Sequence, residues 1–269
     1  MTGVARESVT VPRLGLMKKE HRKIAVMTAY DASFAQAMDA AGMDALLVGD
    51  SLGNVVQGRK TTLPVTLEDM VYHTGCVARA STHALVVADM PFLAFQGTAP
   101  QALTHAGALM RAGAQMVKVE GAGVLVDNVA YLSARGIPVC GHIGLTPQFV
   151  HSLGGMRVQG RGDEGRRLLT DAQALVAAGV SLLVLEAIPA PLAAEITATV
   201  AVPTIGIGAG PACDGQVLVM HDALGLGGRR PRFVRDFLAG RGSIQAAFAA
   251  YVEAVREGSF PNGEESYPE

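Results

Sequence analysis

Apolar and polar positions along this chain alternate between two textures. Short, nearly unbroken apolar runs read as strands buried on both faces: Ala45-Leu46-Leu47-Val48, Ala84-Leu85-Val86-Val87-Ala88, Met116-Val117-Lys118-Val119 and Leu182-Leu183-Val184-Leu185. Between them lie longer stretches with apolar residues at helical spacing. Ile24 to Thr28 is the first strand, and Thr28-Ala29-Tyr30-Asp31 turns it into a helix from Ser33 to Ala41, with Asp31 as N-cap and Gly42 as its stop. Thr66 opens a helix to about Ala80, and Thr66 and Asp69 stand at capping-box spacing. Pro100 opens the next, which runs to about Arg111 and stops at Gly113. Further helices are predicted around Arg13 to Arg22, from Val124 to Ala134, from Asp163 to Gly179, from Pro191 to Val200 and from Ser243 to Val255. The remaining strands are Gln115 to Glu120 around the third run, Ile137 to His142, Pro203 running into a glycine loop at Gly210, and Val217 to Met220.

Eight strand-like runs separated by mostly helical segments predict an α/β fold, a single (β/α)8 TIM barrel over residues 1–269. A polar lead-in precedes it and the acidic tail Pro261 to Glu269 is expected to be loose. Two connections exceed a minimal turn: Gly53 to Pro64, a candidate flap, and the glycine-rich basic stretch Thr146 to Gly162, a surface loop or lid by composition.

Composition narrows the function. At 269 residues and 49% hydrophobic the chain can fill one large core, and a net charge of −2 supplies no basic field for a polyanion, which argues against nucleic acid. The three cysteines, Cys76, Cys140 and Cys213, have neither disulfide-framework nor C-x-x-C spacing, and Arg6, Glu7 and Arg13 interrupt any secretory core. The apolar region Ala172 to Ile188 is broken by Gly179 and Ser181, so no membrane span is expected and a cytoplasmic location is.

The chemistry gathers at strand ends. Asp50, Asp89, Glu120 and Glu186 each close one of the four apolar runs, and a barrel brings strand ends of one polarity to one rim. Asp50, Asp89 and Glu120 are hard oxygen donors without clustered cysteine or histidine, which favours Mg²⁺ over Zn²⁺. Singly, each acid can equally cap a helix or pair with a base. Lys118 shares the inward face of Glu120 by the period of two, as a salt bridge or a group for a substrate carboxylate or enolate. Glu186 follows four apolar residues, where desolvation would raise its pKa toward that of a general base; a metal ligand or helix cap is the alternative. His142 either donates to a substrate oxygen or is a satisfied rim histidine. Cys140, on the same face, reads as a small core residue. Gly206-Ile207-Gly208-Ala209-Gly210 lacks the third glycine of a dinucleotide fingerprint, because Pro211 occupies that site, and reads as a tight loop.

Several long motifs in order resemble the ketopantoate hydroxymethyltransferase family. They include Thr28-Ala29-Tyr30-Asp31, Val48 to Gly53, Thr62-Leu63-Pro64-Val65-Thr66, Val117 to Gly121, Gly141 to Gln148, Val158-Gln159-Gly160-Arg161 and Ile205 to Leu226. The resemblance implies a barrel of the phosphoenolpyruvate/pyruvate type, assembled as a decamer of two pentameric rings. It implies transfer of a one-carbon unit from 5,10-methylenetetrahydrofolate to 2-oxoisovalerate, giving 2-dehydropantoate at the start of pantothenate synthesis. Carried over by position, Asp50, Asp89 and Glu120 match the Mg²⁺ site, Asp50, Ser51, Asp89 and Lys118 the keto-acid site, and Glu186 the proton acceptor. Two positions depart: Gly121-Ala122 replaces a glycine pair, and Met156 stands where an aromatic is common. The alternative is a C–C lyase or phosphonopyruvate-type mutase on the same barrel, suggested by Cys140-Gly141-His142, with the cysteine moving the proton.

Overall fold

A parallel strand pair needs a crossover of a dozen or more residues, and the alternating texture supplies one between most successive strands. The computed structural model describes residues 6–228 and 230–269, so the first five residues of the expected lead-in lie outside the described residues. The strands are β1 (Ile24–Thr28), β2 (Ala45–Val48), β3 (Leu85–Asp89), β4 (Met116–Glu120), β5 (Val139–Gly144), β6 (Leu182–Glu186), β7 (Thr204–Ile207) and β8 (Gly215–Leu218). They pair in chain order, all parallel, and β8 closes on β1 to form a barrel. Every strand residue is buried except the last of β5 and of β6, Gly144 and Glu186, which is why the runs look continuously apolar.

Around the barrel stand α1 (Val11–Lys19), α2 (Ala32–Ala41), α3 (Leu52–Val55), α4 (Leu67–Ala80), α5 (Ala99–Ala112), α6 (Val126–Ser133), α7 (Val150–Leu153), α8 (Asp163–Ala177), α9 (Ala190–Thr199), α10 (Met220–Ala223) and α11 (Ile244–Glu257). Their starts are set by the expected caps. Asp31 accepts from Phe34 N–H at 3.0 Å, and Thr66 and Asp69 exchange bonds of 3.1 and 3.0 Å as a capping box. Gly42, at φ 99°, ends α2 in the left-handed region. From α11, the buried Tyr251 hydroxyl donates to Val26 O and Gln216 O at 2.9 and 3.0 Å, fastening the seam where β8 meets β1. Among the described residues no helix is long and apolar enough to cross a membrane.

Several boundaries differ from the sequence reading. The helix expected from Val124 splits into a 3₁₀ turn, Gly123–Leu125, and α6. Strand β5 does not end at His142 but continues to Gly144, because Gly144 stays in register with Glu186 of β6. Strand β8 begins two residues early, at a glycine whose Cβ would lie 2.3 Å from Ile24 O, and Met220 starts α10 instead, its N–H bonded to Thr28 Oγ1 at 2.9 Å. The flap from Gly53 opens within a helical turn, α3. The tail is not loose. Glu265 takes two bonds of 2.7 Å from Arg235, Ala190 N–H donates to Tyr267 O at 2.9 Å, and Ser266 is buried. The stretch from Thr146 to Gly162 is only partly a surface loop: Met156 and Arg157 are exposed, but Gln159 is buried and its N–H donates to Ala187 O.

Candidate functional site

The side-chain period of two sends alternate strand residues into the barrel, and at the C-terminal rim these are polar. Register aligns Asp89 with Lys118, Glu120 with His142 and Gly144 with Glu186. Asp50 and Ser51, just past β2, line one cavity of ≈ 1070 Å³ with Asp89, Lys118, Glu120, His142 and Glu186. All the residues singled out from the sequence therefore meet there, except Cys140, which lies among the buried residues and does not line the cavity. Burial pushes the Cys140 thiol up to about 12.

Lys118, only 4% exposed, is the centre of the charge network. Its ammonium stands 3.1 Å from Asp89 Oδ1, 3.4 Å from Glu120 Oε1 and 3.2 Å from His142 Nδ1. Burial alone would lower its pKa, but Asp89, Glu120 and Asp50 together raise it, so it stays an ammonium. Burial would raise Glu120, yet Lys118, His142 and the N–H of Gln148 bring it down to about 2. Its two oxygens are committed: Oε1 to Lys118 and to His142 at 3.2 Å, Oε2 to Gln148 N–H at 2.9 Å. His142, 2% exposed, is lowered by burial and Lys118 but raised to about 9 by Glu120 and Glu186. Its Nε2 lies 3.2 Å from Glu186 Oε2, off the hydrogen-bond direction, so that nitrogen has no aligned partner.

The two aspartates are held differently. Asp89 Oδ2 accepts from Asp50 N–H at 3.0 Å, while Asp89 Oδ1, buried and close to Lys118, receives no aligned donor. Asp50 Oδ2 accepts from Gln148 Nε2 at 3.0 Å. Burial, then the charges of Glu120 and Asp89, push Asp50 well above the usual carboxylate range, and burial pushes Asp89 up as well. Ser51 is half-buried, with its hydroxyl 2.9 Å from that of Tyr30.

Glu186 is less sealed than its apolar run suggests; its side chain is 17% exposed. Its aim is set by the backbone. Leu145 N–H donates to Glu186 O at 2.8 Å, Ala187 N–H donates to Ile207 O, and Ala187 adopts φ 47°, a strained position for a residue with a Cβ. Gly144, at φ 94°, gives the space: a Cβ there would meet Glu186 O at 2.2 Å.

A divalent cation with oxygen ligands suits part of this set. Asp89 Oδ1 is a buried oxygen without an aligned donor, and Mg²⁺ commonly takes one or two carboxylates with substrate and water completing its shell. The expected trio is not equivalent, however. Glu120 is engaged on both oxygens, and no three His, Cys, Asp or Glu side chains among the described residues form a group able to hold a metal ion. Asp50 and Asp89 are the pair that fits.

Sequence reasoning missed Gln148, which touches two of the acids, and Tyr30 beside Ser51. Both fall inside the quoted motifs, but nothing in their chemistry alone marked them. It also missed the tail, whose Tyr267 lines the cavity with Phe233.

The ketopantoate hydroxymethyltransferase family profile matches residues 8–263. The chain belongs to the ketopantoate hydroxymethyltransferase family. Across 260 residues it is 60% identical to the 3-methyl-2-oxobutanoate hydroxymethyltransferase of Xanthomonas campestris pv. campestris (strain B100), covering 96% of each chain. Membership of the ketopantoate hydroxymethyltransferase family makes it a hydroxymethyl-transferring enzyme. Among solved structures it resembles phosphoenolpyruvate phosphomutase from Streptomyces platensis subsp. rosaceus, with a TM-score of 0.62, 15% identity and coverage of 79% and 81%. It also resembles 2,3-dimethylmalate lyase, a member of the phosphoenolpyruvate mutase/isocitrate lyase superfamily, with a TM-score of 0.59, 18% identity and coverage of 80% and 82%. At such identities these likenesses concern the barrel fold alone.

Proposed function

We propose that this enzyme transfers the one-carbon unit of 5,10-methylenetetrahydrofolate to 2-oxoisovalerate (3-methyl-2-oxobutanoate), giving 2-dehydropantoate and tetrahydrofolate, with Mg²⁺ held by Asp50 and Asp89. The observation that carries the reading is one rim that faces an aspartate pair, a buried ammonium and a partly open glutamate toward the same cavity.

Mg²⁺ bound there supplies Lewis acidity that lowers the cost of removing the C3 proton of the keto acid. Glu186 accepts that proton. Lys118 and the Ser51 hydroxyl bind the substrate carboxylate and keto oxygen, and Lys118, held charged by Asp89 and Glu120, steadies negative charge as it reaches the oxygen. His142, bound to Glu120 through Nδ1, keeps its other face toward Glu186 and the substrate. The enolate carbon then forms a bond to the one-carbon unit, whose bonds to N5 and N10 of the folate break, and water supplies the hydroxyl while its other proton and the C3 proton taken by Glu186 go to the two released nitrogens. Glu120 orients Lys118 and His142, and Asp50 and Asp89 would hold the cation beside it. The cavity far exceeds a five-carbon acid, which leaves its outer part, walled by Met156, Phe233 and Tyr267, for the folate.

The lyase or mutase alternative needs Cys140 in the cavity and easily deprotonated. Its burial and raised pKa favour the transferase. The family resemblance extends the proposal to a cytoplasmic homo-oligomer, a decamer, and exposed apolar Leu93 and Val124 support subunit contacts; sedimentation of the purified protein tests that.

The decisive experiment is proton NMR of 2-oxoisovalerate with protein and Mg²⁺ in D₂O, without folate. Loss of the C3 signal with intact enzyme, and its persistence with Glu186→Gln or a chelator, is the expected result. Exchange that survives in Glu186→Gln removes Glu186 as the base. No exchange by wild type, with or without tetrahydrofolate, rejects the reading.

A further inference from the structure

Gln148 lies on a 3₁₀ turn, Pro147–Phe149, shortly after β5, and its polar amide is 4% exposed without lining the cavity. Every polar atom of its side chain is used. Nε2 donates to Asp50 Oδ2 and to Met90 O, both at 3.0 Å, and Oε1 accepts from Gln96 Nε2 at 3.0 Å. The backbone N–H of the same residue donates to Glu120 Oε2 at 2.9 Å. Met90 O and Asp50 Oδ2 are both acceptors, so only the nitrogen end of the amide fits between them, and the orientation is unambiguous.

From this geometry we infer that Gln148 is a positioning residue for the cation, a role that rests on the metal reading proposed above. It pins one oxygen of Asp50 and one of Glu120, which decides which oxygens remain to face the cavity. Being neutral, it orders two acids without reducing the negative charge that attracts a divalent ion. Gln148 also roots the segment that continues to Met156, Arg157 and Arg161 at the cavity mouth. One residue thus ties the seating of that segment to the set of the aspartates. A methionine of similar length would fill the space and leave Asp50 Oδ2 and Met90 O without their donor.

The test is titration of metal-free, full-length protein with Mn²⁺, following free Mn²⁺ by EPR, alongside the Mg²⁺ dependence of C3 exchange. Gln148→Met is expected to bind Mn²⁺ about 10-fold to 100-fold more weakly. The Mg²⁺ concentration for half-maximal exchange should rise by the same factor, while saturating Mg²⁺ recovers most of kcat. Wild-type Mn²⁺ affinity in a folded Gln148→Met overturns the inference. So does a weak-binding variant whose kcat stays low at saturating Mg²⁺, since that marks general damage. If Gln148→Met fails to fold, Gln96→Leu decides. It removes the bond to the amide oxygen of Gln148 together with a long bond of 3.4 Å from Phe95 N–H, and a Mn²⁺ affinity about threefold weaker is expected, an unchanged one overturning the inference. A wild type that neither binds Mn²⁺ nor exchanges C3 hydrogen rejects the metal reading itself, a result distinct from all of these.

Discussion

At the N-terminal end of the barrel Asp44, fully buried, accepts Ala25 N–H at 3.0 Å and faces Arg22 and Arg256 at 3.0 and 3.3 Å. Nearby, Asp39 accepts from the N–H groups of Thr82, His83 and Ala84 and from the Thr82 hydroxyl, and Asp214 pairs with Lys18 at 2.8 Å while accepting Thr204 N–H. At the C-terminal end Asp50 and Asp89 are as deeply buried, yet they crowd Glu120 and share one lysine, and Asp89 Oδ1 has no aligned donor. Burial of a carboxylate is therefore a poor guide to function. The informative difference is how the acids are partnered: at the floor they fasten α1, α2 and α11 to the strands, and at the mouth they are kept in unfavourable company that the proposed cation would relieve.

The sharpest way to break the contrast is to disturb the mouth without touching an acid. Gly144→Ala pushes a Cβ against Glu186 O, and a shift of that carboxylate by about 1 Å is expected to slow C3 exchange roughly 100-fold. An unchanged exchange rate would show that the backbone around Ala187 does not aim the base. Next come paired acid removals. Asp44→Ala leaves a buried N–H and two arginines without their acceptor, and chemical denaturation is expected to show a loss of about 3 kcal/mol with kcat of the folded protein intact.

Asp50→Asn should do the reverse. A carboxylate whose folded pKa lies above its unfolded one costs stability as pH rises through the unfolded value, so the metal-free variant at pH 7 should be more stable than wild type while losing exchange. Mg²⁺ should raise the wild-type melting temperature, by about 2.7 kcal/mol of stability at 100 times Kd, and leave that of Asp50→Asn nearly unmoved. The smallest effect concerns Asp39. Burial acts against it, but its hydrogen bonds from Thr82, Ala84 and His83 bring it down to about 2. A lowered pKa stabilises above the unfolded value, so Asp39→Asn should cost about 1–2 kcal/mol at pH 7, and the gap should close as pH falls from about 4 to about 2.

The mouth was legible in the sequence because two simple periodicities create it: buried strands are continuous apolar runs, and a charge at the end of one has nowhere to point but the rim. That reasoning located Asp50, Asp89, Glu120 and Glu186, and the alternation along β4 placed Lys118 beside Glu120. It overstated the burial of Glu186, since its position on the last residue of β6 leaves it partly open. It grouped Glu120 with Asp50 and Asp89 without foreseeing that Gln148 N–H takes one of its oxygens, because spacing along the chain says nothing about a donor arriving from another loop. The tail defeated composition for the same reason: its acids look solvated until Arg235 is folded against Glu265. Floor acids such as Asp44 drew no attention, and their structural role shows only once Arg22 and Arg256 converge on them.

The alternation along β4 also bears on how such a gene can change length. One codon inserted between Met116 and Glu120 would turn Lys118 or Glu120 outward among the surrounding helices and bring a valine into the cavity. Two codons would restore the face but displace the charges about 6–7 Å along the barrel axis. Insertions and deletions that survive in descendants of this chain should therefore fall in connections such as Gly53 to Pro64 or Gly154 to Gly162, while β3 through β6 are inherited at fixed length even where their apolar residues interchange.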